Sequence, residues 1–492
     1  MDLESGLFKL YYRRRRVFNI PGLFNTIAKA MNCETAQIVD FRKLAEGGFN
    51  RIFPITLGTE FQLVARIPYL LLVPKAYAVA SEVATMDFLR STGLPIPKVY
   101  AYSSTSNNGR TNLSQIWSEL KEDEIISLMD QLAKVESTMM SISFPAGGSI
   151  YYARDLKELS GNEGIPLDNQ VENIAFEKER YCIGPDVSVP LWYGRREQLK
   201  VFRGPYEDAE SVLVAGAEKE LAYLNQFGAS RVPYECFRRE YFNYEKQLPS
   251  DHIENLGRYL RLAPSLVPDD DSLSAFCIRH PDLTDSNLRV STDSGCLQIL
   301  SVLDWQHAAI LPLFLHAGMP RFIQNEEDEV SQKMVKPELP DGFDKLPAKD
   351  QDRERELLSR PTHNRIHHKG FVHPLNPFRC RIFIHATDMW EGETIKLLYA
   401  LIDLVRGWGH FATDGTMCPV VFTEELWQAL ANAERGERWL RDFVAYGEET
   451  WVPAAHYEAA KAIGQEVKRR TFKACAEDEE MTKETYAVIE AN

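Results

Sequence analysis

Phe276-Cys277-Ile278-Arg279-His280-Pro281-Asp282-Leu283-Thr284-Asp285-Ser286-Asn287-Leu288-Arg289-Val290 is the stretch on which the fold turns. Its polar centre lies between two apolar pairs, Phe276/Ile278 and Leu288/Val290, so it reads as a loop pinned at both ends by strand. Thr292-Asp293-Ser294-Gly295 follows as a turn signal, and the apolar run 297–303 reads as the returning strand. That strand delivers Asp304, beside Trp305. A hairpin of this length brings Asn287 and Asp304 close together, so His280, Asp282, Asn287 and Asp304 converge at one edge of a short ribbon. Turn formation alone accounts for Asp285 and Asn287, and core packing for His280. Neither explains why a second acid ends an apolar strand.

Physically the grouping suits phosphoryl transfer. Mg²⁺ is a hard cation that takes few protein oxygens and keeps places for water and substrate phosphates. Asn287 and Asp304 could supply those oxygens, and Asp282 could accept the proton of an attacking hydroxyl. The order H-x-D-x-x-x-x-N followed by a metal-binding Asp is the arrangement found in kinases. A metal-dependent phosphohydrolase using His280, Asp282 and Asp304 as direct ligands is a rival reading, but it needs more His or carboxylate than this loop provides.

Working upstream, the sequence predicts a small sheet with one helix. Pro21 and the pattern Leu23, Ile27, Ala30, Met31 predict a short amphipathic helix. Residues 41–57 read as two strands around the loop Glu46-Gly47-Gly48-Phe49-Asn50. From 61 to 67 the chain alternates, with Phe61, Leu63, Ala65 and Ile67 on one face and Gln62, Val64 and Arg66 on the other. A helix over 79–90 follows, stopped by Gly93, Pro95 and Pro97, then a short strand at 98–102. On the helix, Glu82 shares the inward stripe of Val79, Met86 and Leu89 and so needs a cation. Arg66 is the obvious one, in the place where a kinase strand carries Lys, and it can pair bidentately with carboxylate and phosphate. The bland alternative is a surface ion pair worth little. The Gly47-Gly48 loop is a poor match to G-x-G-x-x-G, although its backbone N–H groups precede the Arg66 strand and could cap phosphates.

Downstream, a polar stretch at 103–112 leads into long helical patterns at 113–140, 207–227, 253–262, 394–408 and 424–446, interrupted by the strand-rich island 276–304. Residues 325–369 read as a charged, exposed insertion, in which His363, His367 and His368 belong to a solvated loop. The 492 residues carry 56 Lys+Arg against 71 Asp+Glu, a net charge of −15, which argues against a nucleic-acid or anionic-membrane binder. Eight scattered cysteines without a CxxC pair read as free thiols in a reducing compartment. No stretch approaches the roughly 18 apolar residues of a membrane span. Arg13–Arg16 form a basic run, but two acids within the first four residues are unlike a mitochondrial presequence. The expectation is an α+β, two-lobed, protein-kinase-like fold, with a sheet-plus-helix small lobe over 1–112 and a large, mainly helical lobe over 113–476. An acidic tail would occupy 477–492.

The sequence resembles the aminoglycoside phosphotransferase family. His280-Pro-Asp282-Leu-Thr-Asp-Ser-Asn287 and Val302-Leu-Asp304-Trp305 look like its catalytic and metal-binding motifs. Leu44-Ala-Glu-Gly-Gly-Phe-Asn50-Arg51, Val64-Ala-Arg66-Ile-Pro68 and Ser81-Glu82 through Arg90 look like its small-lobe segments. These longer strings, with Asp304-Trp-Gln-His-Ala308 and His373-Pro-Leu-Asn-Pro-Phe-Arg379, resemble the altered inheritance of mitochondria protein 9 branch, over about residues 18–451. The resemblance implies an ATP- and Mg²⁺-dependent kinase acting on a small-molecule hydroxyl. Asp282 would be the base, with His280 beside it as catalytic residues, and Asn287 and Asp304 the metal ligands. Arg66 would contact phosphate with Glu82 as its anchor, and Gly47, Gly48, Asn50 and Val64 would complete the nucleotide site. It also implies a mitochondrial location; without it the chain would be taken as cytoplasmic.

One departure from the family pattern gives a second hypothesis. After the strand at 98–102 the family continues through an apolar strand into a hinge that receives adenine, whereas residues 103–112 hold no such strand. A pseudokinase serving as a binding or scaffold module is the alternative that follows. Nothing in the sequence names the phosphate acceptor or the oligomeric state.

Overall fold

The computed structural model describes residues 19–43, 45–46, 50–68, 74–100, 122–167, 181–233, 236–291, 297–316, 375–412 and 415–423, with single residues at 120, 320 and 462. Several expectations fall outside the described residues: the Arg13–Arg16 run, Gly47 and Gly48, residues 103–112, the 292–295 turn, the 325–369 insertion with its three histidines, the 424–446 helix and the acidic tail. Of Asn50 only the backbone is described.

The chain divides into two compact units. The first takes in Met1–Val189, Arg203–Asp208 and Asp271–Pro377. Helix α1 (Ile20–Met31) starts with Pro at its first turn and an Asn19 side chain that accepts the Gly22 N–H at 2.9 Å. Four antiparallel strands follow: β1 (Ile38–Phe41), β2 (Ala45–Glu46), β3 (Asn50–Leu57) and β4 (Gln62–Pro68). Strand β3 pairs with β4 along its length and with β1 and β2 on its other side. The alternation expected for β4 is present. Leu63, Ala65 and Ile67 join Phe53, Ile55, Leu57 and Ile27 of α1 in one buried cluster, which leaves Arg66 on the opposite face.

Helix α2 (Lys75–Ser91) is buried nearly all round, with Val79, Val83, Met86, Phe88 and Leu89 in the core. A helix of that kind lies between layers rather than on a surface. Its far side is fixed by Asp87, which accepts the hydroxyls of Tyr152 at 2.7 Å and Tyr181 at 3.0 Å. Over its described residues, Lys98–Tyr100, the strand expected at 98–102 is not formed. Pro95 and Pro97 remove ladder N–H donors just before it.

Helix α3 (Glu122–Ser141) leads to a second correction. Between the helical patterns expected at 113–140 and 207–227, where no strand was expected, β5 (Ser149–Tyr152), β6 (Ile165–Pro166) and β7 (Tyr181–Gly184) form a three-stranded sheet, with α4 (Ala153–Ser160) between the first two. Every residue of β5 and β7 is buried, so the period-2 alternation that marks a half-exposed strand is missing. The strand-rich island appears as β8 (Phe276–Ile278), β9 (Leu288–Ser291) and β10 (Gln298–Val302), and β11 (Ile310–Pro312) pairs back onto β8.

The second unit comprises Pro190–Phe202, Ala209–Asp270 and Phe378–Asn492. Its described core is α5 (Ala209–Phe227), α6 (Pro249–Leu262), most of α7 (Asn376–Thr387) and α8 (Ile395–Arg406). A buried ionic knot ties α5 into it. Glu220 accepts from Lys219 at 2.9 Å, from Nε and Nη2 of Arg196, and from the Trp390 N–H at 2.6 Å. Burial alone would raise the Glu220 carboxyl, but Lys219 and Arg196 outweigh it and hold it down to about 2. Lys219 also donates to the Thr387 carbonyl at 2.9 Å. Cys33, Cys182, Cys277, Cys380 and Cys418 are free thiols.

Candidate active site

All the described polar groups singled out in the sequence lie within the first unit, and four hydrogen bonds build their core. His280, buried at the end of β8, donates from Nε2 to the Leu303 carbonyl at 2.7 Å. Its Nδ1 accepts the Asp282 N–H at 3.1 Å, and a ring nitrogen that accepts leaves the proton on the other. Leu303 in turn donates its N–H to the Asn287 carbonyl at 2.8 Å, and Asn287 Nδ2 donates to the Asp282 carbonyl at 2.7 Å. His280, Asp282, Asn287 and the residue before Asp304 thus form one closed loop of contacts. Burial, in part offset by the Leu303 bond and nearby acids, pushes the His280 pKa down, so the ring is neutral at ordinary pH. Trp305 covers it edge-on, with ring centroids 4.5 Å apart.

Asp304 follows β10 with φ at +64°, and His307 has φ at +63°. Asp and His are among the few side chains that enter this left-handed region without prohibitive cost, and such residues gather at functional sites. The turn is buttressed from behind. Ser149 donates to the Ala308 carbonyl at 2.9 Å and accepts the Val187 N–H at 3.2 Å, and His307 Nδ1 bonds the Val187 carbonyl at 2.7 Å.

Arg66 reaches the same corner from β4. It donates to Glu82 Oε1 at 2.5 Å and through its other arm to Asp304 Oδ1. The predicted strand–helix pair therefore exists, and it extends to the acid at the end of the ribbon. Burial works to lower the Arg66 pKa, but the two carboxylates raise it overall. Burial first, and the Asp304 charge second, push Glu82 up, against the pull of Arg66 and a hydrogen bond from Gln306.

Sequence reasoning passed over Gln306, buried against Glu82, and the brace behind the loop. Arg279 donates to Glu136 of α3 at 2.6 Å and to the His316 carbonyl at 2.8 Å. Glu136 is fully buried and lies one turn from Leu132 and Met139 on the helix, the same signal that singled out Glu82. Gln306, a neutral amide beside a tryptophan, gave no comparable signal.

Asp304 and Asn287 offer hard oxygens of the type Mg²⁺ accepts, and the guanidinium on Asp304 is a cation standing at that carboxylate. Among the described residues no group of three or more His, Cys, Asp or Glu side chains gathers as a metal cluster. A phosphohydrolase site ligated by His280 does not fit, since both its ring nitrogens are engaged by backbone groups. A site that holds its ion through few protein oxygens does fit.

A strand arginine held by a helix glutamate, facing an aspartate beyond a His-x-Asp loop, is the arrangement that the sequence predicts, with Arg in the place where a kinase strand carries Lys. The chain is 31% identical over 440 residues to a subtelomeric hrmA-associated cluster protein of Aspergillus fumigatus, covering 78% of this chain and 82% of that one. It is 24% identical to altered inheritance of mitochondria protein 9, mitochondrial, of Eremothecium gossypii, over 80% of this chain and 70% of the relative. The chain belongs to the same family as the Aspergillus fumigatus protein, and its similarity to altered inheritance of mitochondria protein 9 agrees with the branch that its longer motifs resemble. No protein-family profile matches it. Among solved structures, an aminoglycoside phosphotransferase in ternary complex with AMP-PNP and hygromycin B is 14% identical, with a TM-score of 0.32, covering 80% of this chain and 99% of that one.

Proposed function

We propose that the chain is an ATP- and Mg²⁺-dependent phosphotransferase acting on the hydroxyl of a small molecule. The observation that carries this is the shared guanidinium: Arg66, Glu82 and Asp304 meet at one corner, and a single residue, Leu303, ties that corner to the His280–Asn287 loop. In this reading Asp282, exposed at the loop tip, takes the proton of the attacking hydroxyl as its oxygen bonds to the terminal phosphorus and the bond to the nucleotide's bridging oxygen breaks. His280 holds the loop, while Arg66 neutralises phosphate charge and Glu82 aims it. Asn287 and Asp304 are the residues that would hold Mg²⁺, which neutralises charge on the phosphates when bound. Gly47, Gly48, Asn50 and Val64 are assigned to the nucleotide side. The kinship with proteins named mitochondrial supports a mitochondrial location. No described helix is long and apolar enough to cross a membrane.

A thermal-shift titration with ATP, with and without Mg²⁺, tests the reading on the wild type and Asp304→Asn. A ligand at a hundred times its Kd stabilises by about 2.7 kcal/mol. The expected result is a Mg²⁺-dependent shift that the substitution abolishes. No shift in a folded wild type overturns the enzyme reading and favours the binding-module alternative raised by residues 103–112.

A further inference from the structure

One guanidinium serves two carboxylates that differ in setting. The Glu82 side chain is 10% exposed and is also held by Gln306, whereas the Asp304 side chain is 38% exposed. Arg66 itself is 7% exposed, so its reach is confined to what surrounds it. Its arm toward Glu82 is the fixed end, and its arm toward Asp304 is the end that can be released. The oxygen it occupies there, Oδ1, belongs to the carboxylate assigned to the divalent ion. A second cation arriving at that carboxylate meets a positive charge already in place. A phosphate oxygen would give the released arm of the planar guanidinium another charged acceptor of the kind that arginine pairs with.

We propose that Arg66 makes metal and nucleotide bind as a pair: it holds Asp304 against a lone divalent ion and gives it up when a phosphate takes the guanidinium. The proposal rests on the reading of Asp304 as a metal ligand. Gln306 and Glu82 act as the pivot, keeping Arg66 on the site while one arm changes partner.

The direct experiment measures binding of Mn²⁺ alone to the full chain by electron paramagnetic resonance. Arg66→Lys keeps the charge but offers one nitrogen in place of the two that Arg66 sets on Glu82 and Asp304, so its hold on Asp304 is loosened. It is expected to bind Mn²⁺ at least five-fold more tightly than the wild type, with the gain lost when Asp304→Asn is added. Arg66→Met is expected to gain as well. If only Arg66→Met gains, the effect is bulk charge, and the proposal is wrong; unchanged or weaker binding in Arg66→Lys overturns it too. Wild-type melts give a second readout that no variant can spoil by misfolding. Mg²⁺ and ATP together should raise Tm by more than the sum of their separate shifts, and additive shifts overturn the pairing while leaving the phosphotransferase reading intact. Absence of any ATP·Mg²⁺ shift instead removes that reading itself.

Discussion

Two residues apart on one loop, His280 and Asp282 have opposite environments: the imidazole is buried and bonded at both nitrogens, the carboxylate lies at the surface. The sequence spacing made both legible, because a polar cluster between apolar pairs must place some members inward. What spacing could not give was the tautomer, which follows from the backbone groups at the two ring nitrogens. Asp282→Asn separates the assigned base from the binding groups. Its amide can still accept from Asn287, so ATP·Mg²⁺ should stabilise the variant as it does the wild type. Phosphate transfer, followed by ADP release, should fall by about 10²-fold or more. A variant that retains near-wild-type turnover would remove Asp282 from the proton-transfer step.

At the scale of elements, helix α5 carries a glycine where helix propensity disfavours one. A Cβ built on Gly216 would lie 2.1 Å from Thr387 Cγ2 and 2.7 Å from Thr387 Cβ, so the glycine is what lets α5 and α7 approach. Gly257 in α6 has nothing within 4 Å of the same position. The two alanine substitutions should therefore differ in sign. Gly216→Ala should destabilise by about 1–3 kcal/mol through overpacking, and Gly257→Ala should stabilise by about 0.5–1 kcal/mol through propensity. Urea denaturation of both variants checks the pair, and a stabilising Gly216→Ala would contradict the close approach. Elements with a period were readable in advance: α2, β4, α6 and the β9–β10 hairpin lie close to where their patterns place them. The four-residue strands β5 and β7 were not, since a short strand buried on both faces has no alternation to read.

For the whole molecule, acid is the informative perturbation. Burial pushes His252 and His316 down to about 4 and lowers His280 and His307 as well. Between those values and about 6.5 the unfolded chain binds protons that the folded chain does not, so stability is complete above about pH 6.5 and falls as pH drops toward about 4. For His252 and His316 the loss is of order 3 kcal/mol per ring at full titration. Glu82, pushed up to about 7, has the opposite sign between its unfolded pKa and that value and offsets part of the fall. The expected outcome is a lower urea midpoint at pH 5 than at pH 7.5, with a shallower slope in His252→Asn, whose amide can still bond Thr394. A flat profile would mean that these rings are not held neutral in the fold. Of the four depressed rings only His280 is announced by sequence, because the burial of His252, His307 and His316 depends on which distant segments cover them.

The left-handed backbone at Asp304 has a genetic corollary. Asparagine enters that conformation about as readily as aspartate, whereas valine or isoleucine does so only with severe strain. Alleles at this codon therefore fall into two kinds, one that silences the carboxylate while the protein accumulates normally and one that depletes the protein. An organism carrying the first in place of its own gene would reveal whether the cell depends on the reaction or merely on the polypeptide being there.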